Sequence, residues 1–201
     1  MAAQAEQVAG IVLAGGLSRR MGGGDKALLD LGGRPMIAHV VDRLGCARAI
    51  SANGDPARFA DFGLPVLADS LPDRPGPLAG VLAGMDWAAA QGFARIVTAA
   101  ADTPFFPRDL AARLTQGAAP VVLACHDGRD HPVFAAWDVA LRDDLRANLL
   151  AGGRRLTEFA DRHGAQRVAF TGPEPFFNVN TPEDLARARA VAGHLPPEPF
   201  G

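Results

Sequence analysis

Val8-Ala-Gly-Ile-Val-Leu-Ala-Gly-Gly-Leu-Ser-Arg-Arg-Met-Gly-Gly-Gly-Asp-Lys26 decides how this chain is read. Val8 to Leu13 is a short apolar, β-branched run of the kind that forms a buried strand. It passes directly into a segment, Leu13 to Lys26, that holds five glycines together with Arg20 and Lys26. Gly15 and Gly16 have no Cβ, so backbone N–H groups there can close on an anion. Arg20 offers a planar fork suited to phosphate oxygens, and Lys26 a mobile point charge. A bare Gly-Gly after a strand reads as a turn with solvated neighbours. Five glycines and two cations in one loop read as a phosphate cradle. The spacing fits neither a G-x-x-x-x-G-K-[ST] loop nor a dinucleotide G-x-G-x-x-G fingerprint, and a plain dinucleotide-binding oxidoreductase is set aside on that ground.

Outward from this segment, apolar β-branched runs alternate with amphipathic ones. Pro35 to Leu44 places Met36, Val40 and Leu44 on one helical face, with the proline near the first turn. Ala49 to Ala52 and Pro65 to Ala68 read as strands, and Pro77 to Ala90 as a helix opening on a proline. Arg95 to Ala100 reads as a buried strand leading into Ala101-Asp102-Thr103-Pro104. A helix containing Ala111 to Gln116 follows, then strands at Val121 to Cys125 and Val133 to Ala136. Thr181-Pro-Glu-Asp184 carries an N-cap, a proline at the first helical position and a near-match to a capping box. Such alternation argues for an α/β fold with a mostly parallel sheet covered by helices on both faces. Ligands of such sheets bind beyond the carboxyl ends of the strands, which directs attention to the loops after Leu13, Ala52, Ala68 and Ala100.

The length of 201 residues suits one domain over 1–201, without internal repeat or linker, and with a loose Pro-rich tail at 195–201. Hydrophobic residues at 48% and charged residues at 21% are ordinary for a soluble protein. Its 23 glycines and 16 prolines exceed the roughly 12% of average usage and call for many turns. A net charge of −2 gives no general attraction to nucleic acid or to an anionic membrane. Cys46 and Cys125 lack metal-binding or redox spacing and read as buried thiols of a reducing compartment. With no basic leader and no spanning apolar run, a cytoplasmic location is expected.

Several segments together carry a family resemblance. They are Leu13 to Lys26, Gly76-Pro-Leu-Ala-Gly80, Ala101-Asp102-Thr-Pro104, His131-Pro-Val133 and Phe177-Asn-Val-Asn-Thr-Pro182. In these the chain resembles the nucleotidyltransferases that open on Leu-Ala-Gly-Gly-x-Ser-x-Arg-Met-Gly, and among them it is most similar to the molybdenum cofactor guanylyltransferases. The opening is shared in part with sugar-phosphate and isoprenoid nucleotidyltransferases, so its combination with the later segments carries the resemblance. The resemblance implies a Rossmann-like three-layer α/β/α sandwich with a mixed, mostly parallel sheet. It also implies a GTP-binding half at about 1–105 and a half at about 106–193 that contributes to acceptor binding.

By the same resemblance, Leu13, Ala14, Gly15, Gly16, Lys26, Asn53, Asp69 and Asp102 would bind the nucleotide. Arg20, Lys26 and Asp102 would carry catalysis, with Asp102 as ligand of the Mg²⁺ cofactor. His131, Arg155, Asn178 and Asn180 would face the acceptor, a molybdopterin phosphate. Other proteins of molybdenum cofactor synthesis and molybdoenzyme maturation are expected as transient partners, and neither nucleic acid nor membrane is. Physical chemistry accommodates these roles. Magnesium takes one or two carboxylates and completes its shell with water and phosphate. A carboxylate at 69 can accept from guanine N1–H and the 2-amino group, a donor pair that cytosine lacks.

Each residue also has a plainer reading. Asn53 and Asp69 are common turn formers, as Asn180 is ahead of a capped helix, and Asp102 could shape a turn. Asp25 could simply shape the loop that presents Lys26. His131 could be structural, and Arg154 and Arg155 could be solvated at a helix start. Trp87, Trp137 and the phenylalanines read as core. Three other functions share parts of this reading. They are a cytidylyltransferase acting on molybdopterin, a sugar-phosphate nucleotidyltransferase, and a non-catalytic nucleotide-sensing module.

Overall fold

The computed structural model describes residues 8–15, 25–71 and 76–193. In chain order the elements begin with β1 (Val8–Leu13), a 3₁₀ turn at Lys26–Leu28, and a small hairpin of β2 (Asp30–Leu31) and β3 (Arg34–Pro35). Then come α1 (Met36–Leu44), β4 (Ala47–Ser51), a 3₁₀ stretch at Pro56–Phe62, β5 (Val66–Leu67), α2 (Pro77–Ala90) and β6 (Arg95–Ala100). The second half holds α3 (Leu110–Thr115), β7 (Val121–His126), β8 (Arg129–Asp138), α4 (Arg142–Leu150), α5 (Leu156–Arg162), β9 (Gln166–Ala169) and α6 (Pro182–Ala192).

Seven strands form one sheet in the order β5-β4-β1-β6-β8-β7-β9. All run parallel except β8, which is antiparallel to both of its neighbours. The expected mixed, mostly parallel sheet is therefore present. Side chains alternate between its faces, as the pleat dictates. Val12, Ile50, Val97 and Val122 pack with α1 and α3 on one face. Ile11, Ala49, Ile96 and Val121 pack with α2, α4 and α5 on the other. The central strands must be apolar on both sides, which explains why β1 and β6 read as continuous hydrophobic runs.

Helix α2 lies between the sheet and α4, and nine of its residues are buried, from Leu78 round to Ala88. Two of its glycines make this seat possible. At Gly80 a Cβ would stand 2.8 Å from Ser51 Oγ, and at Gly84 3.0 Å from an Ile11 methylene. A side chain at Gly80 would have to displace the Ser51 hydroxyl and a Leu13 methyl at the ends of β4 and β1.

A third, smaller core joins the two ends of the fold. Leu31 and Met36, beside the first hairpin, are buried with Val179, Leu185 and Ala188 at and before α6. The Arg189 Nε–H donates to the Asp30 carbonyl at 3.1 Å. Thr181 caps α6, and Asp184 returns the bond to the Thr181 N–H, so the near-match in the sequence is a complete capping box.

The strand ends nearest the cavity fall where the sequence predicts, with modest shifts. Met36 rather than Pro35 opens α1, because Pro35 still pairs with Asp30 in the hairpin and stands at the N-cap position of the helix. Strand β5 is only Val66–Leu67, narrower than Pro65 to Ala68. Strand β8 runs from Arg129, well before Val133, and bulges opposite Leu123/Ala124. Pro132 lies in that bulge, where its missing N–H interrupts the ladder without ending the strand.

Candidate active site

The register of the parallel strands puts the site in place. Leu13 pairs with both Ser51 and Ala100, and Ser51 pairs with Leu67, so four strands end in one row. The ladder holds one residue further in each direction. The Ala14 N–H donates to the Ser51 carbonyl, the Ala52 N–H to Leu67 and the Ala101 N–H to Leu13, at 2.8, 2.9 and 3.0 Å. The loops that follow these strands therefore start from fixed backbone. From β5 to β6 is three strand spacings, about 14 Å, across which a nucleotide can lie.

Above this row is a cavity of about 230 Å³. Leu13, Ala14, Gly15, Lys26, Asp69, Asp102 and Asn178 all line it, as do Gly76 and Gly80 at the start of α2. Seven of the residues singled out in the sequence are thus brought to one wall-to-wall space. Gly76 takes φ +136, a left-handed conformation that turns the chain into α2 and that a side chain would strain.

On the β6 side, Lys26 Nζ donates to Asp102 Oδ2 at 2.7 Å and to Asn180 Oδ1 at 2.5 Å. The Lys26 side chain is only 13% exposed and that of Asp102 30%, so the lysine is the better shielded partner. Asp25 sets up the lysine by accepting from the Ala27 N–H and capping the 3₁₀ turn that begins at Lys26. The expectation that Asp25 shapes this loop holds. The Val179 N–H donates to the Asp102 carbonyl at 2.9 Å, which ties the Asn178–Asn180 loop to the end of β6. The buried Thr103 hydroxyl donates to Asn178 Oδ1 and lies 3.2 Å from Asp102 Oδ1.

On the β4–β5 side, Asn53 and Asp69 form a two-way pair. Asn53 Nδ2 donates to Asp69 Oδ2 at 2.7 Å, and the Asp69 N–H donates to Asn53 Oδ1 at 2.9 Å. The residue beyond is held too, since the Ser70 hydroxyl donates to Asp86 of α2, and Arg146 of α4 grips the same carboxylate.

Other predicted residues lie elsewhere. His131 sits on β8 and does not line the cavity. Its ring stacks on Phe176 at 4.4 Å, and burial, aided by Arg129, pushes its pKa below the ordinary value. Arg155 stands at the N-cap position of α5 without a capping side-chain bond, exposed and paired with Glu158 at 2.8 Å, which is the solvated helix-start arrangement. Arg154 is exposed as well. Arg20 and Gly16 lie outside the described residues. Trp137 is core, whereas Trp87 is half-buried against Phe93.

Three participants went unread in the sequence. Ser51 lines the cavity beneath α2. Thr103 holds Asn178 beside Asp102, and its only sequence signal is a hydroxyl next to that carboxylate. Arg58 reaches the Asn53 carbonyl at 2.5 Å, and a lone arginine between strands carries no sequence signal.

The chain has counterparts among known proteins. The family model described as MobA-like NTP transferase domain matches residues 10–167. A molybdenum cofactor guanylyltransferase of Cereibacter sphaeroides is 55% identical over 186 residues, covering 90% of this chain and 95% of the relative. One from Mesorhizobium japonicum is 49% identical over 195 residues, covering 90% and 94%. Among solved structures, molybdopterin-guanine dinucleotide biosynthesis protein A from Archaeoglobus fulgidus superposes with a TM-score of 0.73 at 24% identity. That superposition covers 92% of this chain and 99% of the other, and it speaks for the fold. By the family model and by these relatives, the chain belongs to the MobA-like NTP transferases.

Proposed function

We propose that the chain transfers a guanylyl group from GTP to the terminal phosphate of a molybdopterin cofactor, releasing pyrophosphate. The observation that carries this reading is the row of strand ends with Lys26 and Asp102 above β6 and the Asn53–Asp69 pair above β4 and β5. It supports a nucleotide laid across the sheet edge, phosphates toward β1 and β6 and base toward β5. The close relatives named for this activity support the choice of GTP and of acceptor.

An acceptor phosphate oxygen attacks the α-phosphorus, and the bond to the β-phosphate bridging oxygen breaks. The nucleophile is already anionic, so the protein's task is to align two polyanions and offset their repulsion. The loop from Leu13 to Gly16 would present backbone N–H groups to phosphate. Lys26 would move its hydrogen bonds from Asp102 and Asn180 to the phosphate oxygens, with Arg20 as a second cation.

Magnesium fits the residues present. Asp102 is a partly exposed carboxylate on the cavity wall, already facing a cation, with the amide oxygens of Asn178 and Asn180 nearby in the fold. Among the described residues no group of three or more His, Cys, Asp or Glu side chains gathers. That suits an ion that completes its shell with phosphate and water rather than an all-protein cage. Bound at Asp102, magnesium would neutralise charge on the triphosphate. His131, Asn178 and Asn180 remain the proposed acceptor side. Arg155 keeps that proposed role only as an exposed group, beyond the cavity wall.

No helix among the described residues is long and apolar enough to cross a membrane. We place the reaction in the cytoplasm, consistent with the free thiols of Cys46 and Cys125, with other molybdenum cofactor synthesis proteins as transient partners. The test is magnesium-dependent pyrophosphate release with molybdopterin as acceptor, comparing GTP, CTP and ATP. Preference for GTP, lost in Asp102→Ala, is the expected result. Release with CTP would reassign the base, and nucleotide binding without release under any of the three would favour the sensing module.

A further inference from the structure

We propose that Arg58 is a positioning residue that ties the base-reading pair to the phosphate-binding lysine, and so couples base identity to triphosphate binding. It rests on the GTP reading given above. Arg58 lies in the 3₁₀ stretch between β4 and β5, next to Phe59, which is fully buried and over whose ring the guanidinium sits at 4.9 Å. Its Nη2 donates to the Asn53 carbonyl at 2.5 Å. Its Nε lies 3.0 Å from Asp25 Oδ2 in an ion pair. Asp25 is 10% exposed at its side chain, and its other oxygen caps the turn that opens with Lys26.

One planar group thus touches both halves of the nucleotide site. Toward Asn53 it fixes the backbone whose side chain holds Asp69 in place. Toward Asp25 it balances a shielded carboxylate that stands one residue from Lys26. Without that balance Asp25 would add an unpaired negative charge close to a bound triphosphate, and leaving one partner of a shielded ion pair alone is costly. A lysine at 58 could supply the charge but not the fork that reaches both groups.

Binding of GTP and of ITP, which lacks the 2-amino group, is measured by calorimetry without acceptor, alongside turnover and thermal unfolding. Arg58→Ala is expected to weaken GTP by about tenfold or more, the loss typical of a hydrogen bond to a charged group, and to weaken ITP less. The KM for GTP rises while kcat falls by a smaller factor. Arg58→Lys recovers part of the affinity but not the preference for GTP over ITP. Adding Asp25→Asn to Arg58→Ala recovers part of the affinity for both nucleotides.

A purely structural role would lower the melting temperature and the active fraction while leaving affinity and the GTP-to-ITP ratio as they were. That result overturns the proposal, and turnover by the unsubstituted protein would leave the assigned reaction standing. Conversely, an Arg58-dependent GTP preference in a protein that does not turn over molybdopterin supports the proposal and removes the acceptor. Should the unsubstituted protein bind GTP no better than ITP, the base reading and the role of Arg58 fall together. If Arg58→Ala unfolds, Arg58→Lys and Arg58→Gln carry the same comparison.

Discussion

The two sides of the cavity are built in different ways. On the β6 side, Lys26 meets Asp102 across 76 residues of sequence and Asn180 across 154, while Thr103 meets Asn178 across 75. On the β4–β5 side, Asn53 meets Asp69 across 16 residues and Arg58 across 5. The first is a convergence of remote segments, part-buried and locked by a separate small core. The second is local, exposed and carried on short loops. Long-range contacts are hard to change singly, because each depends on the packing that brings its partners together. Local ones can be altered without disturbing the sheet. The arrangement suits chemistry that stays constant on one side and selectivity that can be adjusted on the other.

The largest loss is expected from the β6 side. Lys26→Ala and Asp102→Ala should each lower turnover by about 10²–10³ while the protein stays folded, the loss typical of removing stabilisation of developing charge, which is proposed to come from Lys26 directly and from Asp102 through magnesium. Near-normal steady-state rates in either would break the comparison at its strong end. Leu185→Ala tests whether the small core supports that side. It should cost about 2–3 kcal/mol in a denaturant melt and reduce turnover, because α6 carries the Asn178–Asn180 loop. Loss of stability with turnover per folded molecule unchanged would separate the small core from the chemistry.

Smaller effects are expected on the β4–β5 side. Asp69→Asn should lower the preference for GTP over CTP by about tenfold with kcat for the better nucleotide little altered. A large fall in kcat would show that the two sides are not separable. The pH dependence is the finest discriminator. Burial lowers the pKa of His39, whose Nε2 contacts the Leu31 carbonyl of the small core at 2.8 Å. The unfolded chain therefore takes up that proton first as pH falls below the ordinary value of 6.5, and stability declines until the folded-state pKa is passed. Melting temperatures between about pH 5 and 8 should decline less on acidification in His39→Gln than in the unsubstituted protein.

How much of this was legible varied along the chain. Helix α2 and strand β6 lie where the sequence puts them, since Pro77 marks the helix start and the strand is buried from Ile96 to Ala99 with Thr98 its one polar residue there. Strand β9 and helix α4 do not follow from the sequence, and of α5 only a start near Arg154 and Arg155 does. Gln166-Arg-Val-Ala169 is an exposed edge with one β-branched residue, and α4 is largely polar over residues 142–148, so neither shows the expected periodicity. At the site, motif residues announced Lys26, Asp102, Asn178 and Asn180. Their mutual bonds did not follow from sequence, because partners more than seventy positions apart are joined only by the fold. Arg58 was invisible for the opposite reason. Its partners are a backbone carbonyl and a capping carboxylate, and neither leaves a trace in residue type.

The small core that joins α6 to the first hairpin also orders events in time. A chain emerging from the ribosome can pair its central strands once β8 is out, since β1, β4, β5 and β6 precede it. Lys26 meets Asn180 only after residues 179–188 have been made and have packed on Leu31 and Met36. A nascent chain would thus hold a folded sheet edge with an incomplete charge clamp, and competence for turnover would arrive late in translation.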